Sequence, residues 1–102
     1  MFQPVTQDIL DTPIQMPPPD REGRSREGRP IPAYQFGAGP CRISLIAGCH
    51  ADEPTGPRFL RKLVCFLDRL PAEHPMLRHF QWWIVPHANP DGEFLNRTWY
   101  EE

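Results

Sequence analysis

A histidine and a glutamate stand three positions apart in "GCHADEPTG", as His50 and Glu53. Imidazole nitrogen and carboxylate oxygen both bind Zn²⁺, at about 2.0–2.2 Å, and catalytic zinc sites use three protein ligands plus water. Two such side chains reach one ion if the chain makes a helical turn between them. Pro54 favours an extended residue before it, so a tight loop is the alternative way to bring them together. Gly48 and Gly56 let the backbone bend on either side. The same pair also suits the polar start of a helix, with Glu53 at the positive end of its dipole. Spacing alone leaves both readings open.

Neighbouring residues extend the question. Asp52 is either an acceptor that holds the imidazole tautomer or a solvated loop acid. Cys49 is a soft donor, but adjacent side chains on an extended segment point apart, which favours burial over ligation. His87 reads as an ordinary loop histidine that could also approach the same edge as a third donor. His74 and His79 lie away from that edge and carry no assigned role.

Positioning these residues falls to a strand, a helix and a second strand. "CRISLIAG" leaves little polar surface among Ile43, Leu45, Ile46 and Ala47, the pattern of a strand covered on both faces. In "GPRFLRKLVCFLDRL", Phe59, Leu60, Leu63, Val64, Phe66, Leu67 and Leu70 recur at helical spacing. Arg58, Arg61, Lys62, Asp68 and Arg69 take the other side, so this is an amphipathic helix laid on a core, ended by Pro71. "AEHPMLRHF" makes a short irregular or helical connection, and "QWWIVP" is a second strand closed by Pro86. Such βαβ units have parallel strands, so "GCHADEP" and "PHANPDG" are expected at one edge of the sheet. The carboxyl edge of an open α/β sheet is where ligands bind. "HANPDGEFLNR" itself reads as a turn-forming loop, because Asn-Pro and Asp-Gly set specific backbone angles. Upstream, "IPAYQF" is expected as a short edge strand with proline at its start.

The first 32 residues hold seven of the 14 prolines and the charged run "PPPDREGRSREGRPIP". Residues 1–29 therefore read as a proline- and charge-rich leader, lying over a surface or partly disordered. Its arginines (Arg21, Arg24, Arg26 and Arg29) alternate with acids and have no aromatic platform, which makes them a solvated charge run. A net charge of −2 over 102 residues gives no basic patch for nucleic acid or an anionic membrane. Cys41, Cys49 and Cys65 form no C-x-x-C pair, and "MFQPVTQDIL" is no signal peptide, so a cytoplasmic setting with free thiols is expected.

Taken together, the residues resemble the zinc carboxypeptidase family. "IAGCHADEPTG" is similar to that family's first metal motif, "VPHANPDGEF" to its Asn-Pro-Asp-Gly loop, and "SREGRPIPAYQFG" to the stretch before the metal motif. The similarity runs from about Arg26 to Trp99. It implies a partial carboxypeptidase-like α/β sheet with at least one parallel βαβ unit, incomplete at the C-terminus, with residues 30–102 as the N-terminal part of the catalytic domain. By this resemblance His50 and Glu53 are zinc ligands of a peptidase that hydrolyses a C-terminal peptide or amide bond. The third histidine ligand, the Asn-Arg pair for the substrate carboxylate, the substrate-binding tyrosine and the general-base glutamate are all implied beyond residue 102. Arg97 is the available counterpart of the arginine that polarises the scissile carbonyl, although Tyr100 stands where a second arginine is expected. Glu93 and Glu101 match nothing in the family pattern. A zinc acylase of the aspartoacylase or succinylglutamate desuccinylase type shares the histidine-glutamate motif, but the "NPDG" loop favours the peptidases. An inactive relative retained as a binding module is the other alternative.

Overall fold

The computed structural model describes residues 6–50 and 54–95. Its elements, in chain order, are α1 (Thr6–Asp11), β1 (Arg21–Arg24), β2 (Pro30–Phe36), β3 (Cys41–Ile46), α2 (Thr55–Asp68), α3 (Pro75–Arg78), β4 (Phe80–Val85) and α4 (Pro90–Leu95). One four-stranded sheet has the order β1-β2-β4-β3. β3 and β4 are parallel, with Ile43 opposite Trp82 and Leu45 opposite Ile84, and α2 is the crossover between them. The chain is thus mixed α/β with the expected parallel βαβ unit.

α2 forms where the apolar stripe predicts it. Pro57, Leu60, Leu63, Val64 and Leu67 are buried along one side, and Cys65 joins them as a small apolar group. The core beneath is built from Tyr34 of β2 and Ile84 of β4, with Ile9 of α1 closing it from the leader side. Burying a side chain such as Leu67, which is 1% exposed, contributes about 1.5–3 kcal/mol.

Two strand expectations are corrected. β3 is an edge strand, and its residues Arg42, Ser44 and Ile46 face solvent, Ile46 with 63% of its surface exposed. Only the face carrying Ile43 and Leu45 is packed, because α2 covers a single side and no element lies over the other among the described residues. β2, expected at an edge, lies inside the sheet. Residues Pro30–Ala33 pair with β1 alone and Tyr34–Phe36 with β4 alone. Pro30 and Pro32 therefore sit where the strand is bonded on one side, which accommodates a missing N–H.

The leader segment supplies α1 and β1. α1 lies against α2, where the Lys62 ammonium donates to the carbonyl of Leu10 and the Gln15 amide lies 3.3 Å from the Cys65 sulfur. Arg21 of β1 and Arg42 of β3 flank the Trp83 ring at 5.7 and 5.5 Å, so neither is merely solvated. In the connection before β4, the His74 ring caps α3 by accepting from the Met76 amide at 3.1 Å. No helix among the described residues is long and apolar enough to cross a membrane.

Candidate functional site

The parallel pairing of β3 and β4 brings both of their exits to one edge. The ladder runs past the strands proper: the Ala47 amide donates to Val85 O at 3.1 Å, and the Ala88 amide to Ala47 O at 2.8 Å. Gly48 is the first residue to leave it, with φ at +77°, a left-handed conformation open chiefly to glycine. His50 follows two residues later and is exposed, as is Cys49, for which burial was expected. Together with Gly48, Pro54 and Thr55 they border a recess of about 560 Å³ at the start of α2. Glu53, Asp52 and Arg97 lie outside the described residues.

On the opposite strand exit the sequence Asn-Pro-Asp-Gly forms a short helix, not the open loop its turn chemistry suggests. Asn89 caps α4, its side-chain oxygen accepting from the Gly92 amide at 3.0 Å, and Pro90 takes the first helical position. Capping explains the change, because it satisfies an amide that would otherwise be left over at the helix start.

His87 is 4% exposed and stands between these two segments. Its Nδ1 accepts from the Asn89 amide at 3.1 Å, and its Nε2 faces Glu93 Oε2 at 3.4 Å. Glu93 in turn lies 3.9 Å from Arg61 of α2. With Nδ1 used as an acceptor, Nε2 carries the proton, and His87 in this arrangement is not a third metal donor. Burial pushes its pKa below the ordinary histidine value, against the opposing pull of Glu93. His87, Glu93, Arg61, Arg29, Tyr34 and Phe94 border a second, larger recess of about 620 Å³, which does not include His50.

A further set of residues went unnoticed in the sequence. Asp91 of α4 is held by the turn between β1 and β2. Ser25 Oγ donates to its Oδ1 at 2.7 Å, Arg29 Nη1 to the same oxygen at 2.9 Å, and the Glu27 amide to Oδ2 at 3.2 Å. Gly28, at φ +83°, makes the turn possible. Arg29 also lies over the Phe94 ring at 4.1 Å, gripping α4 a second time one turn further on. The Ser25 hydroxyl, ahead of Arg29, keeps the Asp91 carboxyl below the usual carboxylate range. The available signal was the "EGRPI" run placed before a strand; nothing in the sequence named Asp91 as its partner.

His50 offers an accessible imidazole, a donor type that zinc accepts, beside a recess at the carboxyl ends of the parallel strands. Among the described residues no three histidine, cysteine, aspartate or glutamate side chains come close enough to share an ion. Among the described residues, His50 is thus the one sequence-predicted ligand whose position can be stated.

A parallel βαβ unit that brings His50 and the Asn-Pro-Asp-Gly segment out at one sheet edge defines a mixed α/β fold with both segments at the carboxyl ends of its parallel strands. A sequence profile described as zinc carboxypeptidase matches residues 20–102, and the chain belongs to that family. It is 31% identical over 94 residues to the inactive metallocarboxypeptidase ecm14 of Talaromyces marneffei, covering 76% of this chain and 16% of the relative. It is 34% identical over 84 residues to carboxypeptidase A6 of Mus musculus, covering 74% of this chain and 19% of the relative. The chain thus spans less than a fifth of the length of either.

Proposed function

We propose that this chain supplies the first two zinc ligands, His50 and Glu53, of a metallocarboxypeptidase that hydrolyses the C-terminal amide bond of a peptide. The observation that supports it is the placement of an exposed His50 three residues beyond Ala47, where the β3–β4 ladder ends, in a chain of this family. Residues 30–102 form the N-terminal part of the catalytic domain, behind a leader of residues 1–29, and the protein works in the reducing cytoplasm. The third ligand and the general base come from polypeptide outside these 102 residues. When bound, zinc polarises the amide carbonyl and brings the pKa of a bound water to about 7.

The residues of this chain have narrower tasks. His50 and Glu53 hold the metal, and Arg97 binds the carbonyl side of the substrate. The Ser25–Arg29 turn holds α4 through Asp91 and Phe94. A second reading, a binding module without activity, is favoured by the inactive status of the Talaromyces relative.

Zinc titration of the chain, with and without His50→Ala, tests the proposal. The expected result is weak binding, micromolar or weaker, that the substitution abolishes, with no turnover of N-acyl dipeptides by the 102 residues alone. Zinc binding indifferent to His50 would leave the inactive module as the better reading. Nanomolar affinity lost in His50→Ala, together with turnover, would show instead that the site is complete within this chain.

A further inference from the structure

The structure assigns His87 a positioning task that rests on the zinc reading above: its ring is the floor on which the His50 loop is laid. Gly48 sits directly against that ring. A Cβ at Gly48 would fall 2.5 Å from Nδ1, 2.8 Å from Cγ and 2.9 Å from Cε1 of His87. No side chain survives such distances, so the loop lies where it does because position 48 is glycine and position 87 is a flat ring.

The ring cannot slide away, because α4 and its capping residue hold both nitrogens and α2 backs them. Asn89 donates to Nδ1 at the start of α4, Glu93 of α4 faces Nε2, and Arg61 of α2 steadies Glu93. Side chains fixed on several sides at 4% exposure have a single rotamer, and their neighbours inherit that precision. Gly48 hands it on over a short path. Two residues of chain reach at most about 7 Å, so a displacement of Gly48 reaches His50 with little room to be absorbed. Ala47, bonded to Val85 and Ala88, prevents relief on the strand side. Groups that hold a metal-binding side chain in place characteristically affect metal affinity about 10–100-fold when removed.

His87 is therefore a positioning residue and not a ligand. Its removal should loosen the loop and weaken zinc binding without taking a donor from the metal. Gly48→Ala should do the same from the other side by lifting the loop off the ring. The two substitutions act on one contact, so their effects should combine to less than the product of the separate losses.

The experiment is a zinc competition against a weak chromophoric chelator, on the full chain, with melting curves run in parallel so that each affinity is read on folded protein. Wild type, His50→Ala, His87→Ala, Gly48→Ala and the Gly48→Ala/His87→Ala double variant are compared. A roughly tenfold loss for each of His87→Ala and Gly48→Ala, less than multiplicative in the double variant, is expected. Unchanged affinity in folded His87→Ala or Gly48→Ala, with binding still lost in His50→Ala, overturns the positioning task and leaves the zinc reading standing. Binding that His50→Ala does not affect removes the zinc reading itself. Should His87→Ala not fold, His87→Asn decides in its place, since it removes the ring under Gly48 while offering the Asn89 amide a side-chain oxygen.

Discussion

Arg29 and Asp91, 62 positions apart in the chain, meet at 2.9 Å and join the leader turn to the Asn-Pro-Asp-Gly helix. The contact is one of three on the same carboxylate, so removing that carboxylate strands three donors at once, Arg29 Nη1, Ser25 Oγ and the Glu27 amide.

Asp91→Asn is expected to lower the melting temperature by a few degrees, on the scale that small domains show for the loss of a charge-assisted bond. Ser25→Ala should cost less, because Arg29 and Glu27 keep their hold. Thermal melts followed by circular dichroism give the ranking, and an Asp91→Asn protein as stable as wild type would contradict the role given to this turn.

Leu67→Ala, at a position 1% exposed in the centre of the α2 stripe, is expected to cost about 2–5 kcal/mol, and Phe59→Ala much less because Phe59 is 37% exposed. Urea denaturation resolves the two. Equal costs would mean that the buried side of α2 has been placed wrongly.

Acid should destabilise the fold in two separable stages. The folded pKa of His87 lies below its unfolded value of about 6.5, so as pH falls through that value the unfolded chain takes up a proton that the folded chain refuses. Stability then drops until pH reaches the lower folded pKa. Asp91 acts later: its depressed pKa contributes stability above the ordinary carboxylate range, lost as pH falls through the folded value. Melts between pH 8 and pH 5 should show a shallower decline in His87→Gln than in wild type. Parallel curves would rule out His87 as the source of the first stage.

Thiol labelling should divide the cysteines. Cys41 and Cys49 are exposed and expected to react at once with an aromatic disulfide reagent, whereas Cys65 is buried and waits for unfolding. Two fast equivalents and one slow one per chain is the outcome sought; three fast equivalents would mean that the α1–α2 contact over Cys65 opens freely.

The parts legible in the sequence were those whose pattern is local. α2 was readable from the stripe through Leu60, Leu63, Val64 and Leu67, and the pairing of β3 with β4 followed from the helix between them. The candidate edge came with them, since parallel strands must end together. What escaped depended on partners far away in the chain. Ile43, Leu45 and Ile46 read as a strand buried on both sides, yet an apolar run cannot say how many layers cover it, and Ile46 is 63% exposed. Arg29 looked solvated because its partner, Asp91, belongs to a segment that seemed only a turn. His87 appeared as a spare donor; its burial beneath Gly48 arises from the crossing of two strand exits, which no local pattern records.

The strand order has a consequence for how the protein comes into being. β4 is the last of the described strands along the chain but lies inside the sheet, bonded to β2 on one side and β3 on the other. As the chain emerges from a ribosome, the β1–β2 pair and the β3–α2 segment exist first as two unjoined halves, with Tyr34, Leu45 and the stripe of α2 still wet. Exposed apolar surface of this kind is what chaperones bind and what aggregates. Residues 80–85 end that interval, and His87 follows two residues later. The strand that joins the two halves is thus followed at once by the ring beneath Gly48, so a substitution that keeps β4 from docking would disturb the sheet and the His50 loop together.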